Sequence, residues 1–558
     1  MIRSSQPAVM RLGILLVRAL CCLLVLRTAE PRALARSPGP LDFPDPPAIE
    51  SPRDLLPTAE QRERLGKSFK AFDHNTLYPG LFPESPKHAR AMVELLLFLV
   101  FQTSIYYMIS PTQETDWDTE FDESYMAKRL ITLEHVRFDN NAFWYNNLSH
   151  PLLGSLSYQM GRSNDLGPGP SLALTALGAA GWEYFCELKE KVSINDVVTT
   201  SIGGMALGET VAQLGAFFDR ASGSPLYRGL AILLGPLRAI HDRLDGAAPR
   251  RALLVDSLGM PADVAHDFRF RLGWTATRTS ATGRDSGSWR NDAFLDLDLR
   301  LLNVLGAGRE GTFWDQLAQG NVSRLAVSVS AGGDGLRQAT FLSRAGIMGG
   351  YMQGLSRDAA GRMNGWSLYL GGATSFDVAA GDGFGLYGGR MDLWSNAGFL
   401  GLLLDVDGWM EGWHLSATVE FYPDFSLVRS QALHAWRQGR SIDGFPSILQ
   451  REGYYYALGL TGLADLRAAY EGLELAFDLR YDDAWSLNGA DRFQDRVTDD
   501  VHCTDRRLQT GLRLSYRFPR THARLGGSFR WRSQTGRLHD TTVTRDDLTF
   551  GGDLALDF

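Results

Sequence analysis

The feature that most constrains this chain is a two-residue alternation of apolar and polar side chains that recurs through its C-terminal half. From Leu508 to Phe518 the even positions Leu508, Leu512, Leu514, Tyr516 and Phe518 are apolar, and Gln509, Gly511, Arg513, Ser515 and Arg517 stand between them. This period belongs to extended backbone, whose successive side chains point to opposite faces. The pattern returns in Leu473, Leu475, Phe477, Leu479 and Tyr481, in Trp413, Leu415, Ala417, Val419 and Phe421, and in Leu525, Phe529 and Trp531. Segments near His266 to Arg278, Ala293 to Val304, Arg324 to Ala331 and Gly365 to Ser375 extend the series. A soluble β-sandwich also alternates, but it would not set Leu, Phe, Trp and Tyr on one face and several Arg and Asp on the face that should form a core. Strands of ~10 residues with aromatic ends match a transmembrane β-barrel.

The connections alternate in length as well. Counting back from the C-terminus, Ser533 to Asp546 reads as a long loop, Pro519 to Thr521 as a short turn, Asp482 to Asp505 as long, and Asp465 to Gly472 as short. Barrels of this kind have short periplasmic turns and longer outer loops, and at ~20 to 25 residues per strand plus loop the region holds about 12 strands.

Upstream the period changes to that of helices. The apolar stretches Met92 to Met108, Leu172 to Phe185, Val197 to Phe218 and Leu226 to Ile240 repeat at helical spacing. Glu94, Gln102, Glu183, Glu209 and Gln213 interrupt them, and a charge at the centre of a bilayer costs about 3 kcal/mol. A packed helical bundle, wholly or partly shielded from lipid, is therefore expected. Gly204 and Gly208 form a G-x-x-x-G step that permits close helix approach. The predicted fold class is α+β: an N-terminal helical bundle over 58–250, followed over 260–558 by an antiparallel transmembrane β-barrel of about 12 strands.

The address precedes both domains. Arg3 and Arg11, the apolar run Leu12 to Leu26 and Ala33-Leu34-Ala35 give residues 1–35 the order of a secretory signal. Seven prolines between Arg36 and Pro57 make 36–57 a linker. The helical domain is then expected in the periplasm and the barrel in the outer membrane of a Gram-negative bacterium. The balance of 56 Lys+Arg against 64 Asp+Glu, a net charge of -8, supplies no positive field for nucleic acid. Beyond the leader only Cys186 and Cys503 remain, which make neither a metal knuckle nor a disulfide framework.

Phe550, Leu554, Leu556 and terminal Phe558 alternate with Thr549, Asp553 and Asp557. This segment resembles the C-terminal signature of Gram-negative outer-membrane proteins, which implies recognition by the barrel-assembly machinery. Further upstream stand Asn147, His150 and Pro151, then Trp182, Glu183 and Glu190, then Ser193 and Asp196, and finally Gly204, Gly208 and Glu209. That series, from Phe143 to Glu209, is similar to an uncharacterised domain-of-unknown-function family of Gram-negative envelope proteins, and the resemblance implies a downstream barrel but no activity. A weaker similarity in the order of Glu, Ser-x-x-Asp and Gly-x-x-x-Gly links it to VanZ-like membrane proteins.

The same stretch carries the candidate chemistry. Glu183, Glu187 and Glu190 are spaced to share one helical face, and Ser193 with Asp196 suits the start of the next helix. His150 beside Glu183, Glu187 and Asp196 suits general acid and base work on an envelope lipid or glycan. Arg162, Tyr158, Glu190 and Glu209 are candidate binding residues, with Arg162 placed to hold an anionic headgroup. The opposing interpretation is a buried network in which these acids pair with Arg162, Lys189 or His150 and fix the bundle. No H-E-x-x-H, Gly-x-Ser-x-Gly or phosphate loop is present, so neither metal nor cofactor is expected. Arg480, Arg513, Arg517, Arg524, Arg530 and Arg532 fall in the lumen register with Glu474 and Asp478. They suit either anionic solutes or a lumen closed by Arg and acid pairs. The expected role is envelope organisation or solute passage, with outer-membrane lipids as partners and an envelope-modifying enzyme as the alternative.

Overall fold

The alternation closes into a barrel. In the computed structural model twelve long strands pair antiparallel in chain order: β1 (Ala265–Ala281), β2 (Arg290–Leu302), β3 (Val322–Gly332), β4 (Gly335–Arg357), β5 (Met363–Gly381), β6 (Asp392–Met410), β7 (Trp413–Arg429), β8 (Tyr455–Tyr470), β9 (Leu473–Ser486), β10 (Cys503–Arg517), β11 (Ala523–Leu538) and β12 (Thr541–Asp557). The last returns to the first, Leu554 opposite Leu272 and Asp557 opposite Arg269, so the sheet has no open side. A short segment, Gly311–Leu317, pairs with the end of β4. The structure describes residues 86–558 apart from 110–122, 382–390, 438–453, 488–501 and positions 140, 189, 248–249, 251, 253, 283, 286–287, 334, 430 and 520. The predicted leader, the linker, residues 58–85 of the helical domain, Lys189 and the loop around Asn488 lie outside them.

The register is the one the sequence carries. Leu272, Trp274, Leu475, Phe477, Leu512, Leu514, Leu525 and Leu554 are exposed on the outer face. At the end where Phe558 lies, turns of two to five residues join β4 to β5, β6 to β7, β8 to β9 and β10 to β11, while β2 and β3 are joined by the longer stretch 303–321. Two of them, Glu411-Gly412 and Glu471-Gly472, hold positive φ at both residues, the geometry that matches strand twist in two-residue hairpins. At the turn 358–362, the backbone N–H of Arg362, the Arg362 guanidinium and the N–H of Ala360 hold the Asp358 carboxyl below its usual range. One expected loop is corrected: Ser533 to Asp546 is not a loop, because β11 continues to Leu538 and β12 starts at Thr541. Its side chains are polar, yet backbone pairing needs no apolar side chain once the strands rise past the lipid.

The lumen is filled from both ends. Near the lower end, the one with Phe558, Arg324 and Arg300 both reach Asp465 on the opposite wall, at 2.8 and 2.9 Å, and Arg467 reaches Asp267 at 2.8 Å. Arg269 and Arg524 close on Glu474 beside them. Higher up, Arg344 of β4 meets Glu420 of β7 at 2.6 Å, and Arg480 of β9 meets Asp377 of β5 at 2.7 Å. At the upper mouth a helix from the β7–β8 connection, Gln431–Arg437, buries Leu433 and Trp436 among Trp394, Val428, Tyr455 and Leu538. Between these levels a polar cavity of about 110 Å³, lined by Arg271, Asp478, Gln509 and Arg530 among others, has room for a few waters.

The helices that precede the barrel in the chain pack against its outer wall. They are α1 (His88–Ile109), α2 (Glu123–Leu130), α3 (His150–Ser163), α4 (Pro168–Gly181), α5 (Ile194–Val198), α6 (Gly204–Arg220), α7 (Pro225–Leu234) and α8 (Pro236–Asp245). Residues 85–558 form one compact unit. Leu214, Phe217 and Phe218 of α6 pack on Phe268, Leu301 and Leu325. These strand residues alternate with Asp267, Arg300 and Arg324, whose side chains pair inside the lumen, so α6 lies on the outer surface of the wall. The cover continues: Phe138, Phe143 and Ala206 pack on Phe376, Ala397, Phe425 and Tyr456. On β7 the outer residues Val419 and Phe421 are exposed, and Phe425 and Leu427, further up the same strand, are buried beneath the helices. The predicted run Leu226 to Ile240 is divided at Gly235, where Pro236 lacks the N–H needed to continue α7 and instead opens α8.

Candidate functional site

Close contact between α3 and α6 sets the geometry of the predicted site. A Cβ on Gly154 would lie 1.9 Å from the Thr200 carbonyl oxygen, one on Gly204 would lie 2.6 Å from the Gly154 carbonyl carbon, and one on Gly208 would lie 2.9 Å from Tyr158 Cβ. The G-x-x-x-G step thus does what its spacing allows, and it brings His150 at the start of α3 against the segment that leads into α6. That segment leaves ideal α geometry at Thr199–Gly203, a π-helical turn of the kind often found at functional positions.

Here His150 Nε2 lies 3.2 Å from Asp196 Oδ1, and its Nδ1 lies 3.4 Å from Thr200 Oγ1. With the proton on Nε2, the ring donates to Asp196 and accepts from the Thr200 hydroxyl. Asp196 also accepts from Asn195 Nδ2 at 2.8 Å. Behind this relay Asp139, buried, accepts at Oδ1 from Asn146, Asn195 and Tyr456 at 2.7, 3.0 and 2.8 Å. The polar cluster is therefore shared between the helices and the outer face of β8.

The remaining candidates separate into two further groups. Arg162, Tyr158 and Glu209 come together: Glu209 accepts from Tyr158 OH at 2.7 Å and Gln213 Nε2 at 2.6 Å, and Arg162 Nε lies 2.8 Å from it. Arg162 and Glu209 thus form a buried ion pair, and Arg162 also donates to the Gln319 carbonyl. The three glutamates do not share a helical face. The helix turns π-helical at Trp182–Cys186 and ends at Glu187, so each carboxylate points to a different neighbour. Glu183 accepts from the Ser193 N–H at 2.8 Å, Glu187 from Trp182 Nε1 at 3.1 Å, and Glu190 from Tyr106 OH. Ser193 stands at the N-cap of α5, but its hydroxyl donates to Asn195 instead of capping.

Among the residues of this arrangement that spacing did not single out are Arg129, Asp139, Asn195 and Thr200. Fully buried Arg129 donates to the carbonyls of Glu183, Glu187 and Glu190 and so folds the loop that ends the helix. Asp139 has its partner Tyr456 317 positions away. Thr200, four residues after Asp196, carried the one local signal, since i and i+4 share a helix face. Among the described residues no cluster of His, Cys, Asp and Glu fits a metal ion, and Cys186 and Cys503 are free thiols.

The fold is that of an outer-membrane β-barrel carrying a helical layer on its outer wall. Residues 135–237, which include the His150–Asp196 relay, match the family described as a domain of unknown function (DUF3943). No curated protein matches the chain. Among solved structures, Pseudomonas aeruginosa OccK2 (OpdF) is 12% identical, with 53% of this chain and 98% of that one covered and a TM-score of 0.14. The anion-selective porin from Comamonas acidovorans is 11% identical, covering 53% and 100%, with a TM-score of 0.19. The Escherichia coli outer membrane protease OmpT is 9% identical, covering 53% and 97%, with a TM-score of 0.14.

Proposed function

We propose that this chain is a non-conducting outer-membrane factor in envelope organisation, in which a barrel serves as a rigid post for the helical layer on its wall. The observation that carries this is the filled lumen: Arg300, Arg324 and Asp465 join opposite walls, and Leu433 and Trp436 occupy the upper mouth. Side chains that meet across the lumen narrow any water path through it, and the helices that precede the barrel pack on its outside. The terminal strand supports insertion by the barrel-assembly machinery, since the Phe558 N–H donates to the Phe268 carbonyl at the closing seam. The purified protein in planar lipid bilayers is expected to show no steady single-channel conductance. Discrete anion-selective steps that vanish on charge reversal at Arg513 would overturn the proposal in favour of solute passage.

A second reading rests on the relay itself. His150 held by Asp196 and touching the Thr200 hydroxyl is an arrangement suited to proton transfer on an envelope lipid or glycan. His150→Ala and Thr200→Val test it by mass spectrometry of envelope lipids. The enzyme reading expects an accumulating lipid or glycan species at unchanged protein abundance. Reduced abundance with an unaltered lipid profile assigns the relay to packing.

A further inference from the structure

The helical layer has its polarity reversed relative to a soluble bundle. In α1 the exposed residues from Met92 onward are Met92, Val93, Leu96, Leu97, Val100, Phe101, Ser104, Ile105 and Met108, all apolar but one. Past Met92, Gln102 and Thr103 are half-buried, and three other polar residues turn inward: Glu94 meets Arg90, His241 and Asn164, Tyr106 donates to Glu190, and Tyr107 donates to the Cys186 carbonyl. The one exposed hydroxyl, Ser104, donates to the Val100 carbonyl within its own helix at 2.8 Å, so it presents no free donor outward. In α3 the exposed residues are Leu152 and Leu153, and in α4 they are Gly169, Pro170, Ala173 and Leu177. In water such a face is unfavourable over its whole area. In hydrocarbon it is the expected one, because polar groups there must be satisfied internally.

The position of the layer on the barrel points the same way. The helices follow one hydrogen-bonded row of outer residues: Phe268, Leu299, Leu325, Ser343, Phe376, Ala397 and Phe425. Six inter-strand steps make this row about 29 Å long. At a strand tilt of ~40° it climbs by about 19 Å, most of an apolar band ~25 Å tall. A layer seated beneath the barrel would touch only the turns. Helix α1 has the matching reach: His88–Met108 spans 21 residues of mean hydropathy 1.6, about 31 Å of helix against a hydrocarbon core of ~30 Å. Charge lies at one end, where Lys87 and Arg90 pair with Asp245.

From these observations we infer that the outer face of α1, α3 and α4 is a lipid-binding surface continuous with the barrel's own apolar belt, and that acyl chains of the outer membrane cover it. The helical layer is then a membrane-embedded flank of the barrel instead of a periplasmic domain. Its small-residue contacts at Gly154, Gly204 and Gly208 and its hydrogen bonds to the wall, Ser343 to the Ala206 carbonyl and Thr210 to the Arg344 carbonyl, are the associations that hold helices together in lipid.

Spin labels at single cysteines test this in the full chain reconstituted in phosphatidylcholine vesicles, with every other cysteine replaced. Labels at Leu97→Cys, Phe101→Cys and Leu177→Cys report relative accessibility to oxygen, which concentrates in lipid, and to an aqueous nickel chelate. Leu475→Cys on the bare barrel wall sets the lipid value, and Ala360→Cys in a turn sets the water value. Oxygen-dominated accessibility at the three helix sites, closer to the Leu475 label than to the Ala360 label, supports the inference. Nickel-dominated accessibility, or values closer to the Ala360 label, overturns it. The heat-modifiable migration of each variant on gels confirms that the barrel is closed in either case. Because the readout is independent of conductance, a conducting barrel and a water-facing layer are separate failures.

Discussion

Glu420→Ala is expected to destabilise the protein by about 3–5 kcal/mol, because it leaves a buried guanidinium without its counter-charge. Glu420 and Arg344 sit 2.6 Å apart with side chains 4% and 5% exposed, and they tie β7 to β4 across two intervening strands. Glu420 also accepts from Tyr422 OH at 2.8 Å. The loss should appear as a lower urea midpoint in detergent micelles, read by tryptophan fluorescence. Glu420→Gln keeps one acceptor oxygen for Arg344 but not the second for Tyr422 OH, and its midpoint should fall between those of the alanine variant and the unaltered protein. An unchanged midpoint for the alanine variant would show that water replaces the carboxylate and that the lumen is wetter than its ion pairs require.

Gly154→Ala should act on the other half of the molecule. Its new methyl group would meet the Thr200 carbonyl at 1.9 Å, and both the acceptor and its neighbour Gly204 Cα, 3.0 Å away, are backbone. No side chain can rotate to make room, so α3 and α6 must separate, at about 1–3 kcal/mol or more. Hydrogen exchange in both helices is expected to speed up while the barrel keeps its heat-modifiable migration. Gly229→Ala, which meets nothing within 4 Å, is the control and should leave exchange unaltered. If Gly154→Ala behaves like that control, the crossing is looser than its contacts imply. The relay would also shift in this variant, since Thr200 is displaced from His150.

The two halves of the chain were legible to different degrees. On Leu508 to Phe518 or Leu473 to Tyr481 each residue declares its face through its neighbour two positions away, and the structure places those residues as read. The resemblance over Phe143 to Glu209 likewise falls inside the matched residues 135–237. The site was legible only where partners are close in sequence. Asp196 and Thr200 share a helical turn, and Gly204 and Gly208 mark the crossing. The glutamates were misassigned to one face because fully buried Arg129, drawn in from another helix, ends theirs at Glu187.

What the amino-acid sequence determined by itself was therefore the barrel, its approximate strand number and the face of each strand, since a period of two is a local property and fixes orientation residue by residue. Tertiary structure alone decided that the helices lie on the outer wall, that Asp139 meets Tyr456, and that Glu94 and Tyr106 turn inward while Leu97 and Phe101 turn out. A helical period shows that two faces differ but not which of them meets a neighbour. That choice follows from what the apolar outside of the barrel offers for packing, and this surface exists only once strands far apart in the chain have closed.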